Sequence, residues 1–204
     1  MLDTTPPTAT LSASSPSGSR TVSVTVGGSD GAEGSGITAW AVVEGTTAPA
    51  VGSGSWVGSA PSTFQVSAGD GTKTISAFTR DAAGFVSLAA TTTVLLDTTV
   101  PTVTFSAPTT TTTALIAVTV GGADGGSGVA GYVVVEGTVA PAVGSGSWSV
   151  SAPTSFTLSA GTGVKTISAF TKDAAGNVSL ASTRTVTVCD AWGVPEIDSG
   201  GLPD

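Results

Sequence analysis

The sequence predicts an all-β protein built as two tandem β-sandwich domains, and three observations carry that reading. The chain is written twice: residues 43–88 and 135–180 align without a gap, and 35 of those 46 positions are identical. Within each copy, short stretches rich in β-branched residues alternate apolar and polar side chains between Gly, Pro and Ser clusters. No stretch places apolar residues at helical spacing between caps, so no helix of consequence is expected.

The copying extends beyond the aligned block. "DTTPPT" at Asp3 matches "DTTVPT" at Asp97, and "VTVGGSDGAEGSGI" matches "VTVGGADGGSGV" after a two-residue deletion. The expected domains are therefore 1–96 and 97–188, with 189–204 left as a tail or linker. A period of about 93 residues is too long for a solenoid repeat and suits a small domain that folds alone.

The strand signals are clearest in the second copy. "TVTFS" (102–106) follows Pro101 as an edge strand, and "ALIAVTV" (114–120) alternates Ile116, Val118 and Val120 against Ala117 and Thr119. "VAGYVVVE" (129–136), "SFTLS" (155–159), "VKTISAFTKD" (164–173) and "TRTVTV" (183–188) follow, and a short strand near Trp148 would make seven. Seven short strands in about 90 residues describe an immunoglobulin-like sandwich, here without the cysteine pair of antibody domains. Ile167, Ala169 and Thr171 form the expected inward row. Trp40, Trp56, Phe64, Tyr132, Trp148 and Phe156 are the expected bulky core members.

Near the end of each copy stands "TRDAAGFVSL" (79–88) or "TKDAAGNVSL" (171–180), which reads as hairpin chemistry. Asp173 ends a strand and accepts backbone N–H bonds across the turn, Gly176 takes positive φ, and Asn177 tolerates the left-handed region better than Phe85. With "DTTPPT" at an entrance, "DGGSGV" in the middle and "KDAAGNVS" before the last strand, the chain resembles the bacterial immunoglobulin-like repeats of large cell-surface and secreted proteins. It is also similar in layout to fibronectin type III modules. The resemblance covers 3–188 and implies an extracellular or cell-surface location. The implied role is a stalk, adhesin segment or spacer among neighbouring modules of a longer chain; no ligand is implied.

The acidic residues present in both copies are the candidate site. They are Asp3 and Asp97 at the entrance, Asp30 and Asp124 in the Gly-rich loop, Glu44 and Glu136 after the third strand, and Asp81 and Asp173 at the hairpin. Three of these positions can meet at one pole of a sandwich. There Asp3, Asp30 and Asp81, or Asp97, Asp124, Asp173 and the Asn177 side chain, with loop carbonyls, supply the oxygens a Ca²⁺ ion takes. The resemblance adds that some relatives are stiffened this way. The competing reading is that these Asp residues cap turns. In the calcium reading the second repeat gains an oxygen from Asn177 and responds more strongly to the ion.

Other chemistry finds little purchase. The 204 residues include no histidine, the commonest general base, and one cysteine, Cys189, which excludes an intrachain disulfide. Six basic residues are scattered singly and no Ser–x–x–Lys occurs, so the chain is read as non-catalytic. A net charge of −8 without a basic patch argues against nucleic acid. No run of 18 apolar residues suggests a membrane span, and Met1–Leu2 open the first repeat with no signal segment, so an export signal would lie elsewhere. Hydrophobic residues make up 40% and charged residues 10%, against about 25% charged in typical globular proteins, a balance that suits extracellular β proteins. Two rival functions stay open: a carbohydrate- or protein-binding module using loops or Trp192, and a self-assembling subunit of a filament or virion.

The joint "TVLLDTTVPT" (93–102) holds the one prediction that sequence alone makes about shape. Pro101 fixes its own φ, biases Val100 toward extended backbone, and follows two β-branched threonines. Strands of about 9 residues at about 3.3 Å each make each domain about 35–45 Å long. Small-angle scattering should therefore give a maximum dimension of about 70–90 Å for an end-to-end pair. A value near the about 50–60 Å of a single globule would contradict a stiff joint.

Overall fold

The computed structural model describes residues 3–190 and Trp192. Its described residues contain strands and turns and no helix, and they form two immunoglobulin-like β-sandwiches. The chain divides into two compact units, Met1–Thr98 and Thr99–Asp204.

In the first unit one sheet holds β1 (Thr8–Ala13), β2 (Thr21–Ser29) and β4 (Thr63–Gln65) in the order β1-β2-β4. The facing sheet holds β3 (Ile37–Glu44), β5 (Gly71–Asp81) and β6 (Ala90–Leu96) in the order β3-β5-β6. All these pairs are antiparallel. On β2, Val22 and Val24 point inward between exposed Thr21, Ser23 and Thr25, the period-2 pattern of a sheet with one wet face. Those valines join Val66, Ile75, Val94 and Leu96 in the core between the sheets.

The second unit repeats the plan. β7 (Thr102–Ser106) pairs with β10 (Thr119–Ala123), and β9 (Leu115–Ala117) pairs with β12 (Ser155–Thr157). Opposite lie β11 (Val129–Glu136), β13 (Gly163–Asp173), β14 (Ser182–Val188) and β8 (Thr110–Thr111), in the order β11-β13-β14-β8. The expected strand 114–120 is divided at Val118, whose N–H bonds the Thr154 carbonyl at 3.0 Å, yet Ile116, Val118 and Val120 all stay buried as its alternation requires. The expected strand near Trp148 is a single bridge between Tyr132 and Ser149. The parallel β8–β14 pairing, echoed by a Ser17–Leu96 bridge in the first unit, had no sequence signal beyond a run of threonines.

Two core expectations need correction. Ile167, Ala169 and Thr171 are buried, but so are Ser168 and Phe170 between them, so β13 is covered on both faces. The same holds for residues 75–79 of β5, where the Ser76 hydroxyl donates to the Gly45 carbonyl (2.7 Å) as the 45–62 segment folds over the outer face. The six aromatics expected at the centre are all half-buried; the buried ones are Phe78, Phe105 and Phe170. Phe105 belongs to the core of the second unit, and Tyr132 and Phe156 there, like Phe64 in the first unit, pack against the core from its margin.

The feature that positions the acidic loops is a local narrowing of each sandwich. The Thr79 hydroxyl, on β5, crosses to the Thr8 carbonyl of the other sheet at 3.0 Å, and Thr171 reaches Thr102 in the same way at 3.2 Å. Glycine makes room. A Cβ on Gly28 would sit 2.6 Å from the Thr8 carbonyl oxygen and 2.8 Å from the Thr79 methyl, and one on Gly122 would sit 2.6 Å from the Thr171 methyl. Buried Ser87 completes the arrangement, its Oγ accepting from the Thr79 N–H and its N–H donating to the Thr79 carbonyl, both at 3.0 Å. Gly28→Ala should therefore cost about 1–3 kcal/mol in urea unfolding, because backbone cannot move aside for the new methyl. Gly54→Ala, in open space, serves as the near-neutral control.

Candidate functional site

Asp30 lies two residues beyond Gly28 and Asp81 two beyond Thr79, so the narrowing delivers both carboxylates to the same pole. The entrance segment joins them there: Asp3, Asp30 and Asp81 each offer an oxygen, and these atoms lie within 4.8 Å of one another. Backbone amides build the enclosure. Asp3 accepts from Thr5 N–H (3.0 Å) and Ser35 N–H (2.8 Å), Asp30 Oδ2 from Gly36 N–H (2.6 Å), and Asp81 Oδ1 from Phe85 N–H (2.8 Å). The loops are sewn together by Ala83 N–H to Ser35 Oγ and Ala82 N–H to the Gly36 carbonyl, each 3.0 Å. The bonds from Thr5 first, then those from Ser35, hold the Asp3 carboxyl well below the ordinary carboxylate range.

These donors do not satisfy every oxygen. Asp30 Oδ1 and Asp81 Oδ2 are buried with no hydrogen-bond partner among the described residues, and Asp81 is only 2% exposed. Among the described residues no Lys or Arg pairs with Asp3, Asp30 or Asp81. Arg80, next to Asp81, instead lies over the Trp56 ring and donates to the Val51 carbonyl. Buried polar atoms are normally hydrogen-bonded, and an ionised carboxylate without a donor is among the costliest exceptions. Three converging oxygens without a counter-charge can hold a metal ion.

Asp124 and Asp173 stand at the corresponding positions of the second repeat, and Asp124 Oδ1, like Asp30 Oδ1, is buried without a hydrogen-bond partner among the described residues. Asp97 and Asp173 are buried, and Asp124 Oδ2 accepts from the Gly126 and Gly128 amides at 3.0 and 2.7 Å. Asn177 has a role that its sequence position did not reveal. Its Nδ2 donates to Asp173 Oδ2 at 2.7 Å and to the Thr99 carbonyl at 3.3 Å. It thus serves the acidic group here as a proton donor, a role distinct from the oxygen ligand expected from sequence. Nor does it occupy the left-handed region, which at this turn is left to Gly84 and Gly176.

The acidic residues after the third strand lie in a separate cluster. Glu44 accepts from the Ser67 N–H and Oγ, both at 2.7 Å, while Lys73 Nζ donates to Ser67 Oγ (3.2 Å) and the Ala68 carbonyl (3.3 Å). Glu136, Ser159 and Lys165 repeat the arrangement, with a Lys165–Glu136 ion pair at 3.9 Å. The pairing does not read as Ser–x–x–Lys because a strand reversal, not a helical turn, brings serine to lysine. It is a tie: the hydroxyl donates its proton to the carboxylate, and the hydroxyl oxygen accepts from the ammonium. The paired tryptophans are ties too. Trp56 and Trp148 donate Nε1–H to the Ala50 and Ala142 carbonyls at 3.0 Å, and Arg80 and Lys172 sit 5.1 and 5.2 Å from their ring centroids. Trp192 is 89% exposed; the rest of the tail from 193 lies outside the described residues.

Neither a family model nor a curated protein matches the sequence. Among solved structures, the Clostridium thermocellum CbhA fibronectin(III)-like modules are similar, with a TM-score of 0.56 and 20% sequence identity over 89% of this chain and 95% of that one. The fold is that of tandem fibronectin type III-like modules. Three N-terminal domains of the bacteriophage RB49 Highly Immunogenic Outer Capsid protein (Hoc) match at a TM-score of 0.35 and 9% identity, over 90% of this chain and 58% of that one.

The glutamate ties generate a pH prediction. The Ser67 hydroxyl and N–H, in that order, hold Glu44 below the usual carboxylate value of 4.5; for Glu136 the Ser159 N–H comes first, then the hydroxyl. A folded-state pKa below the unfolded one contributes stability that is complete above pH 4.5 and disappears as pH falls through the lowered value. Glu44→Gln should thus reduce the melting temperature by about 3 °C at pH 7. As pH falls through the lowered value, the melting temperatures of the variant and the parent should converge, as read by circular dichroism.

Proposed function

We propose that the chain is a non-catalytic structural segment, a spacer of the stalk or adhesin type in a bacterial secreted or cell-surface protein, whose acidic loop pole in the first repeat is held by Ca²⁺. The observation that carries the cation is Asp81 Oδ2, buried without a donor beside the Asp3 and Asp30 carboxylates. All donors in the group are oxygens, which suits a hard cation and not zinc or copper. Glycine-rich loops of irregular shape suit Ca²⁺ better than Mg²⁺, which demands near-octahedral geometry. Closing three loops around an ion rigidifies the end of a module, which is what a spacer under load requires. The extended match to tandem modules supports the architectural half of this reading.

A second reading, a protein-binding or self-assembling module, draws on a different observation. Leu88 and Leu180 occupy the same position in the two repeats and are 90% and 86% exposed, each beside a shallow apolar groove that includes Pro6, Pro7 and Val86 in the first repeat and Val100, Pro101 and Val103 in the second. Exposed apolar residues kept in both copies suit a contact with another protein better than a sugar.

Thermal unfolding in chelator and in Ca²⁺ tests the first reading. At an ion concentration about 100 times Kd, binding to the native state alone adds about 2.7 kcal/mol, or roughly 10 °C or more for a domain of this size. Identical melting in EGTA and in millimolar Ca²⁺ would remove the cation from the proposal, and light scattering that shows oligomers abolished by Leu88→Asp with Leu180→Asp would favour the assembly reading.

A further inference from the structure

The cation reading above leaves one difference between the repeats unexplained, and the following inference rests on it. In the hairpin that both repeats share, Phe85 stands where the second has Asn177. The Asn177 amide supplies Asp173 Oδ2 with a donor at 2.7 Å. Phe85 carries no donor; its ring is 38% exposed, and the corresponding oxygen, Asp81 Oδ2, is left buried and unpartnered. The preceding loop differs in the same sense. In the first repeat, two additional residues fold Gly34 so tightly over Asp30 that a Cβ would lie 2.5 Å from Asp30 Oδ2, which accepts from the Gly36 amide. In the second, the shorter loop turns two amides onto Asp124 Oδ2.

We infer that the first repeat carries the calcium-responsive pole, through Asp3, Asp30 and Asp81, and that Asn177 is a built-in substitute for the ion in the second. The physical basis is competition. An ion arriving at Asp173 must displace a charge-assisted hydrogen bond, whereas one arriving at Asp81 Oδ2 displaces nothing from the protein. A hydrogen bond to a charged group corresponds to roughly a tenfold or greater difference in Kd. Ca²⁺ therefore binds the first repeat first, and without it the 79–88 hairpin is the softer of the two. This reverses the order expected from sequence, in which Asn177 counts as a ligand.

Reciprocal exchange in the full chain tests the assignment. Phe85→Asn and Asn177→Phe are compared with the parent by calorimetry for Ca²⁺ and by hydrogen-exchange mass spectrometry, following peptides across 79–88 and 171–180 in Ca²⁺ and in EGTA. In the parent, Ca²⁺ should slow exchange at least about tenfold more in the first hairpin than in the second. Phe85→Asn should protect the first hairpin in EGTA and weaken its Ca²⁺ affinity, and Asn177→Phe should make the second hairpin calcium-responsive. Equal responses of both hairpins in the parent, or exchanges that leave the responses where they were, would overturn the asymmetry while leaving calcium binding intact. Absence of any Ca²⁺ uptake by calorimetry would overturn the cation reading and this inference together. Asp81→Asn, which supplies an internal donor in place of one carboxylate oxygen, should abolish the response of the first hairpin without unfolding it.

Discussion

The acidic pole of each repeat depends on how closely two sheets approach at a single glycine. Packed β-sheets lie about 10 Å apart, a distance set by the side chains between them. At Gly28 and Gly122 one of those side chains is missing, and a threonine hydroxyl spans the gap to a backbone carbonyl of the opposite layer. Two residues farther along each strand the chain leaves the sheet, and on both sides it leaves as aspartate. A side chain at Gly28 would separate the layers, and the carboxylates would part into solvent, where they would cost little and do little.

That dependence explains which parts of the molecule were legible in the sequence. Strand positions followed from alternation, and the hairpin glycines from the need for positive φ. The meeting of Asp3, Asp30 and Asp81 followed from the order of loops in a sandwich. What could not be read was direction. Asn177 looks like an oxygen donor in a list of residues, and only the position of its amide beside Asp173 shows it acting as a proton donor. The tryptophans looked like core because they recur, but recurrence equally preserves a ring clamped beneath Arg80 or Lys172. Pairing of Ser67 with Lys73 was invisible because it is made across a reversal whose length no motif encodes.

The chain also shows how a protein with few charges distributes them. Lys73 and Lys165 serve the serine–glutamate ties, Arg80 and Lys172 cover tryptophan rings, and Arg20 donates to the Val66 carbonyl at 3.0 Å. None of these cations is spent on neutralising the first repeat's aspartates, although Arg80 is adjacent to Asp81 in sequence. The first repeat thus directs its nearest guanidinium away from three converging carboxylates.

The two-residue strand β8 has a consequence for how such modules behave when crowded. Without it, β14 would present an unpaired row of amides and carbonyls, the template on which strands of another molecule add to build aggregates. The parallel contact of Thr110 and Thr111 with Thr187 and Val188 occupies one end of that row, and the Cys189 N–H bond to the Thr111 carbonyl at 2.8 Å continues it. Ser17 does the same for Leu96 in the first repeat. On the other sheet, β4 and β12 are only three residues long, which gives an intruding strand little to register against. Near-identical repeats offer one another compatible partners for strand exchange, and the short or covered edges at β4, β6, β12 and β14 limit it there.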